Sequence, residues 1–198
     1  MAEFPIREIR DPQVLRALTH PVRLRLLDEM VLSGTATATE LAERIGESPA
    51  NCSWHLRQLA RYGFVEEAGG GSGRQRPWRI VPEGTTFGAD DQADPELARA
   101  GDAAGEMFLS QEVDALRGWW HSRRQEPSEW RQVSFVTQVV SWLTIEELGE
   151  LRDKVVEAMK PYLDRIGDEG SHPAGSRPIR LMAWGVPARP FSPDPSSE

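Results

Sequence analysis

Residues 37–80 read TATELAERIGESPANCSWHLRQLARYGFVEEAGGGSGRQRPWRI, and their punctuation decides the fold. Thr37-Ala38-Thr39-Glu40 is a capping box, in which a hydroxyl covers an early helical N–H and a carboxylate reaches back to the cap. Leu41, Ala42 and Ile45 give the helix Thr39–Ile45 an inner face. Gly46 then permits the left-handed turn that ends it. Ser48-Pro49 is a second start signal, a cap followed by a proline at the first helical position. The spacing predicts a helix over Pro49–Tyr62. Cys52, Leu56, Leu59 and Tyr62 fall on its inner side. Ala50, Asn51, Ser53, Trp54, Arg57 and Arg61 fall on its outer side. Phe64–Ala68 and Trp78–Val81 read as paired strands around a tip containing Gly69, Gly70, Gly71 and Gly73, followed by Arg74, Arg76 and Arg79.

Upstream, Asp11-Pro12 opens a helix to about Leu18, and His20-Pro21 starts another. Val22, Leu24, Leu26, Leu27, Met30 and Val31 form the apolar stripe of that second helix, which Gly34 ends. Helix, helix, short helix, tight turn, helix and Gly-rich hairpin is an arrangement for presenting one helix to a groove. Its outer face suits base edges: small residues for close approach, an amide, a hydroxyl, and guanidiniums for guanine or phosphate. A Gly-rich tip with arginines suits a narrow minor groove. Ser48, Ala50, Asn51, Ser53, Trp54, Arg57, Arg61, Arg74 and Arg76 are therefore the expected DNA contacts.

These segments closely resemble winged helix-turn-helix regulators of the arsenical-resistance-repressor (ArsR-like) type. LTHPVRLRLLDEM, TATELAERIG, SPANCSWHLRQLARYGFVEE and the arginine-bearing hairpin carry the resemblance, over about residues 12–82. It implies a three-helix core with a β-wing, working as a homodimer on a pseudo-palindromic operator. The recognition helix is then 49–62 and the wing 69–76. Many relatives sense metals through a cysteine pair on the helix before the recognition helix. Here Thr39–Ile45 holds no cysteine, so no thiolate metal site is expected there.

Composition fits this reading. The 198 residues, 39% hydrophobic and 27% charged, suit an ordinary globular chain. No apolar run suits a membrane span or an export signal, so a cytoplasmic location is expected. The single cysteine, Cys52, excludes an intrachain disulfide and a multi-cysteine metal cluster. As an inward position of the recognition helix, it reads as an inert buried thiol. The net charge of −8 is unevenly spread. Residues 1–82 carry 11 arginines against 10 carboxylates, while the remainder carries 12 basic against 21 acidic residues. The preference for arginine, with lysine only at 154 and 160, suggests a GC-rich bacterial source.

The expected division is a winged helix-turn-helix domain over 1–82, a linker over 83–94, a dimerisation or effector domain over 95–186 and a disordered tail over 187–198. The overall class is α+β. A long helix from Pro95 to about Gln125 carries a stripe of Leu97, Ala100, Ala104, Met107, Phe108, Leu116, Trp119 and Trp120, suited to a dimer seam. Trp130–Leu143 and Ile179–Val186 read as strands of a two-stranded antiparallel sheet. A second capping box, Thr144–Glu147, opens a helix between them, running to about Ile166. Trp119, Trp120, Trp130, Phe135, Trp142 and Trp184 are candidate walls of a pocket for a small-molecule effector, with Gln132, Gln138 and Arg180 as its polar groups. No nucleophile–base pair, paired carboxylates or phosphate loop appears, so neither an enzyme nor a cofactor is expected. The competing function is a winged helix that binds protein instead of DNA.

Overall fold

The computed structural model describes residues 6–69, 76–86, 94–163, 165–166 and 169–189. The chain divides into two compact units, residues 1–115 with 162–178, and 116–161 with 179–198.

In the first unit, β1 (Ile6–Glu8) precedes α1 (Pro12–Ala17) and α2 (Pro21–Ser33). Asp11 caps α1 by accepting from the Gln13 N–H at 2.8 Å, and His20 caps α2 by accepting at Nδ1 from the Val22 N–H at 3.2 Å. β2 (Ala36–Thr37) leads into α3 (Ala38–Ile45). The capping box forms as the spacing predicts: the Thr37 N–H donates to Glu40 at 2.7 Å, and the Glu40 N–H donates to the Thr37 hydroxyl at 3.3 Å. Gly46 adopts φ 69° and lets the Glu47 N–H reach back to the Ala42 carbonyl at 2.9 Å. α4 (Pro49–Arg61) starts from Ser48, whose hydroxyl accepts from the Asn51 N–H at 3.2 Å.

α4 ends in a Schellman motif that the sequence reading did not place. Gly63 (φ 76°) donates to Ala60, and Phe64 donates to Leu59, each at 3.0 Å. A side chain at 63 would also meet the Arg7 guanidinium, whose Nη1 donates to the Tyr62 carbonyl at 2.9 Å.

β3 (Val65–Glu67) and β4 (Pro77–Ile80) form the hairpin, and β2 joins β4 to give a three-stranded antiparallel sheet in the order β2-β4-β3. β5 (Gly84–Thr86) pairs in parallel with β1, Arg7 lying opposite Thr85. Residues 84–86, read as linker, are thus a strand, because the N-terminal segment offers them a backbone edge distant in sequence. Residues 70–75 of the expected wing tip (69–76), Arg74 among them, lie outside the described residues, as does most of the expected tail.

The core gathers Leu15, Leu18, Leu26, Met30, Leu41, Cys52, Leu56, Leu59 and Val65, all within 1% of full burial. Val31 is exposed, and Leu27 and Tyr62 only border the core. α5 (Pro95–Ser122) begins in this unit and packs Ala100 and Ala104 into the core, with Leu97, Met107 and Phe108 beside them. Arg16 of α1 reaches Glu96 at 2.6 Å.

The second unit holds the rest of α5, a 3-10 turn at Arg123–Gln125, α6 (Ser128–Val133) and most of α7 (Ile145–Leu163). The second capping box forms, with Thr144 and Glu147 exchanging bonds of 2.8 and 3.2 Å. The expected two-stranded sheet does not. Trp130–Val133 completes α6, and residues 134–144 and 176–187 run without turn, bend or ladder. The β-branched composition makes these segments extended, but a strand also needs a bonded neighbour, and the described part of this chain supplies none.

Candidate nucleic-acid interface

The geometry of α4 follows from its two faces. Cys52, Leu56 and Leu59 are fully buried against α2 and α3, so the helix cannot roll. Ala50, Ser53, Trp54, Arg57 and Arg61 recur at helical spacing on the other side. Ala50, Trp54, Arg57 and Arg61 are exposed, and Ser53 is half-buried. The Ser53 hydroxyl accepts from Arg57 Nη1 at 3.0 Å, which holds the guanidinium along the face. Ser48 is exposed at the cap. Asn51 is half-buried, and its carboxamide donates to Glu47 at 3.0 Å. That bond is the largest cause of the depressed Glu47 pKa, ahead of the contact with Arg25 at 2.6 Å.

On the wing, Arg76 reaches both carboxylate oxygens of Glu67 at 2.9 Å, and Arg79 meets Glu66, its cross-strand neighbour, at 2.6 Å. The sequence shows two glutamates beside these arginines, but not which arginine each one meets. The signal was present in Glu66-Glu67, which β pairing sets opposite Arg79 and Trp78. Exposed pairs of this kind are worth no more than about 1 kcal/mol. The pairing therefore holds the two guanidiniums only weakly.

The structure also assembles a cluster that the sequence left scattered. The His20 and His55 rings lie 4.3 Å apart, and the Trp54 ring meets His55 edge-on at 4.7 Å. Arg23 donates from Nε to His55 Nδ1 at 3.4 Å and from Nη1 to the Ala17 carbonyl at 3.0 Å. His55 is buried, and burial, then His20, then Arg23 hold its pKa below the ordinary value. His20 is lowered by burial first and Arg23 next. Trp54 thus rests on His55, its indole still half-open to solvent. Cys52 is buried, and burial raises its thiol pKa. Among the described residues, no cluster of three or more His, Cys, Asp or Glu is arranged to hold a metal.

Residues 18–68 match the helix-turn-helix domain family. The chain carries a helix-turn-helix domain. That match spans α2, α3, α4 and β3, the elements that build the presented face. No curated protein matches the chain. Among solved structures, the AntR antimony-specific transcriptional repressor is similar at 26% identity, over 52% of this chain and 78% of that one, with a TM-score of 0.34. Rv0081 of M. tuberculosis is similar at 23% identity, over 52% and 90%, with a TM-score of 0.32. A MarR mutant from E. coli is similar at 12% identity, over 75% and 87%, with a TM-score of 0.31.

The six aromatics expected to wall one effector pocket do not come together. Trp119 and Trp120 meet edge-on at 5.8 Å and line a cleft of about 360 Å3 with Arg123, Arg124, Arg131, Ser134 and Val136. Trp130, Phe135, Trp142 and Trp184 lie outside that lining, as do Gln132, Gln138 and Arg180. Phe135, Trp142 and Trp184 are 73%, 94% and 68% exposed, too open to wall anything within this chain.

Proposed function

We propose that this chain is a sequence-specific, DNA-binding transcriptional regulator of ArsR-like type, acting as a homodimer. The observation that carries this reading is the α4 face: a helix locked by a fully buried inner side, presenting Ala50, Ser53, Trp54, Arg57 and Arg61 outward. Two such helices enter successive major grooves, about 34 Å apart. Ser48, Ala50, Asn51, Ser53 and Arg57 read or approach base edges, while Arg61 holds phosphate. The wing, residues 69–76, brings Arg74 and Arg76 to the minor groove. α5 is a dimer seam through its exposed Leu109 and Leu116. Residues 95–186 serve dimerisation and take up a small-molecule effector.

A gel-shift titration on operator-region fragments tests this. Arg57→Ala weakens specific binding by about 1–3 kcal/mol. Arg76→Ala weakens all duplexes alike and lowers the log–log salt slope by about one. Absence of duplex binding at low salt would overturn the proposal. It would favour the second reading, a protein-binding winged helix, to which the net charge of −8 and the internal pairing of Arg76 and Arg79 lend support.

A further inference from the structure

Beyond Ala104, none of the described residues is buried. α7 runs 19 residues and buries none of them. Residues 134–144 and 179–186 expose Phe135, Val139, Val140, Trp142, Ile179 and Trp184 by 60% or more each. A soluble chain does not leave this many large apolar side chains uncovered without a partner for them. The backbone poses the same demand. The two segments make no ladder, and both are rich in residues that favour strands.

We propose that a second copy of this chain covers these segments, through β-pairing between copies that includes residues 134–144. The inference rests on the homodimer reading and locates, within the residues that reading assigns to dimerisation, an interface apart from the α5 seam.

Three observations point to a second copy. First, residues 132–145 contain no charged side chain. Exposed edge strands are normally blunted by lysine, proline or inward charge, and this one has none of them. Second, the segment suits itself. A two-fold axis at Val139 sets Phe135 opposite Leu143, Val136 opposite Trp142 and Thr137 opposite Ser141, like against like, with Gln138 opposite Val140 the one mixed pairing between them. Third, the area is sufficient. Thirteen large apolar residues in 133–145 and 179–186 stand more than two-fifths exposed. Together they offer on the order of 1,000 Å2 per copy, against about 800 Å2 per partner in a standard stable interface.

The test uses the full chain and light scattering at micromolar concentration. Wild type is expected at twice the 22.2 kDa chain mass. Val139→Glu with Trp142→Glu is expected at the single-chain mass. Both positions are more than four-fifths exposed, so charge there leaves the isolated chain's fold intact, which circular dichroism checks. In wild type, hydrogen exchange at the 134–144 amides slows as concentration rises. A double variant that stays dimeric, or exchange that stays fast at every concentration, would overturn the inference. If Leu116→Glu on α5 breaks the dimer while the double variant does not, the inference falls and the α5 dimer stands. A monomeric wild type overturns both.

Discussion

At the residue scale, the buried imidazole of His55 is the feature with the clearest consequence. Its Nδ1 accepts from Arg23, and His20 Nδ1 accepts from the first turn of α2. Both roles need the neutral ring, and both pKa values are lowered, chiefly by burial. Arg23 opposes protonation of both, while Glu47 favours it more weakly. Above the unfolded imidazole value, about 6.5, folded and unfolded chains are both neutral and this stability is fully present. As pH falls through that value, the unfolded chain binds protons that the folded chain refuses, and stability drops until the folded values are passed. The urea midpoint is therefore expected to be lower at pH 5.5 than at pH 7.5. His20→Asn, which keeps a capping acceptor, should shrink the drop. A midpoint flat across this range in wild type would remove the argument. Glu40 and Glu47, with lowered carboxyl pKa values, act in a separate, more acid window. Cys52 allows a second check. Buried and held in the thiol form, it should ignore a thiol reagent in the native protein and react once on unfolding.

At the element scale, the turn between α3 and α4 rests on two positions. Ser48→Ala removes the hydroxyl that accepts from Asn51, and Gly46→Ala forces a side chain into φ 69°. Each should cost about 1 kcal/mol by chemical denaturation. Neither Gly46 nor Ser48 belongs to the buried core, so loss of DNA affinity well beyond that stability change would show that the turn also sets the angle of α4. Both signals were legible in sequence, because a cap or a left-handed glycine acts within four residues of itself. The C-terminal segments show the opposite. Their composition announced extended backbone, and residues 134–144 are extended. Pairing, however, depends on another segment arriving alongside, and no local pattern encodes that. α6 likewise takes Trp130–Val133 from the expected strand, since Pro127 opens a helical turn that the β-branched run ends at Ser134.

At the scale of the whole molecule, the chain joins a conventional core to a part in which no described residue is buried. Leu56→Ala should destabilise the first unit by about 2–5 kcal/mol, because the side chain is wholly enclosed. An equivalent truncation at Phe135, 73% exposed, should leave the urea midpoint of the first unit unchanged. By itself, the sequence determined the order of the helices other than α6, both capping boxes, and the inner and outer faces of α4. Each follows from periodicity or from contacts a few residues apart. Only the tertiary structure decided the rest: that β5 pairs with β1, that His20, His55 and Arg23 meet, that Glu66 and Glu67 hold the wing arginines, and that the six aromatics do not share one pocket. These are meetings between residues distant in the chain, and packing and backbone pairing choose among them where local propensity has no preference.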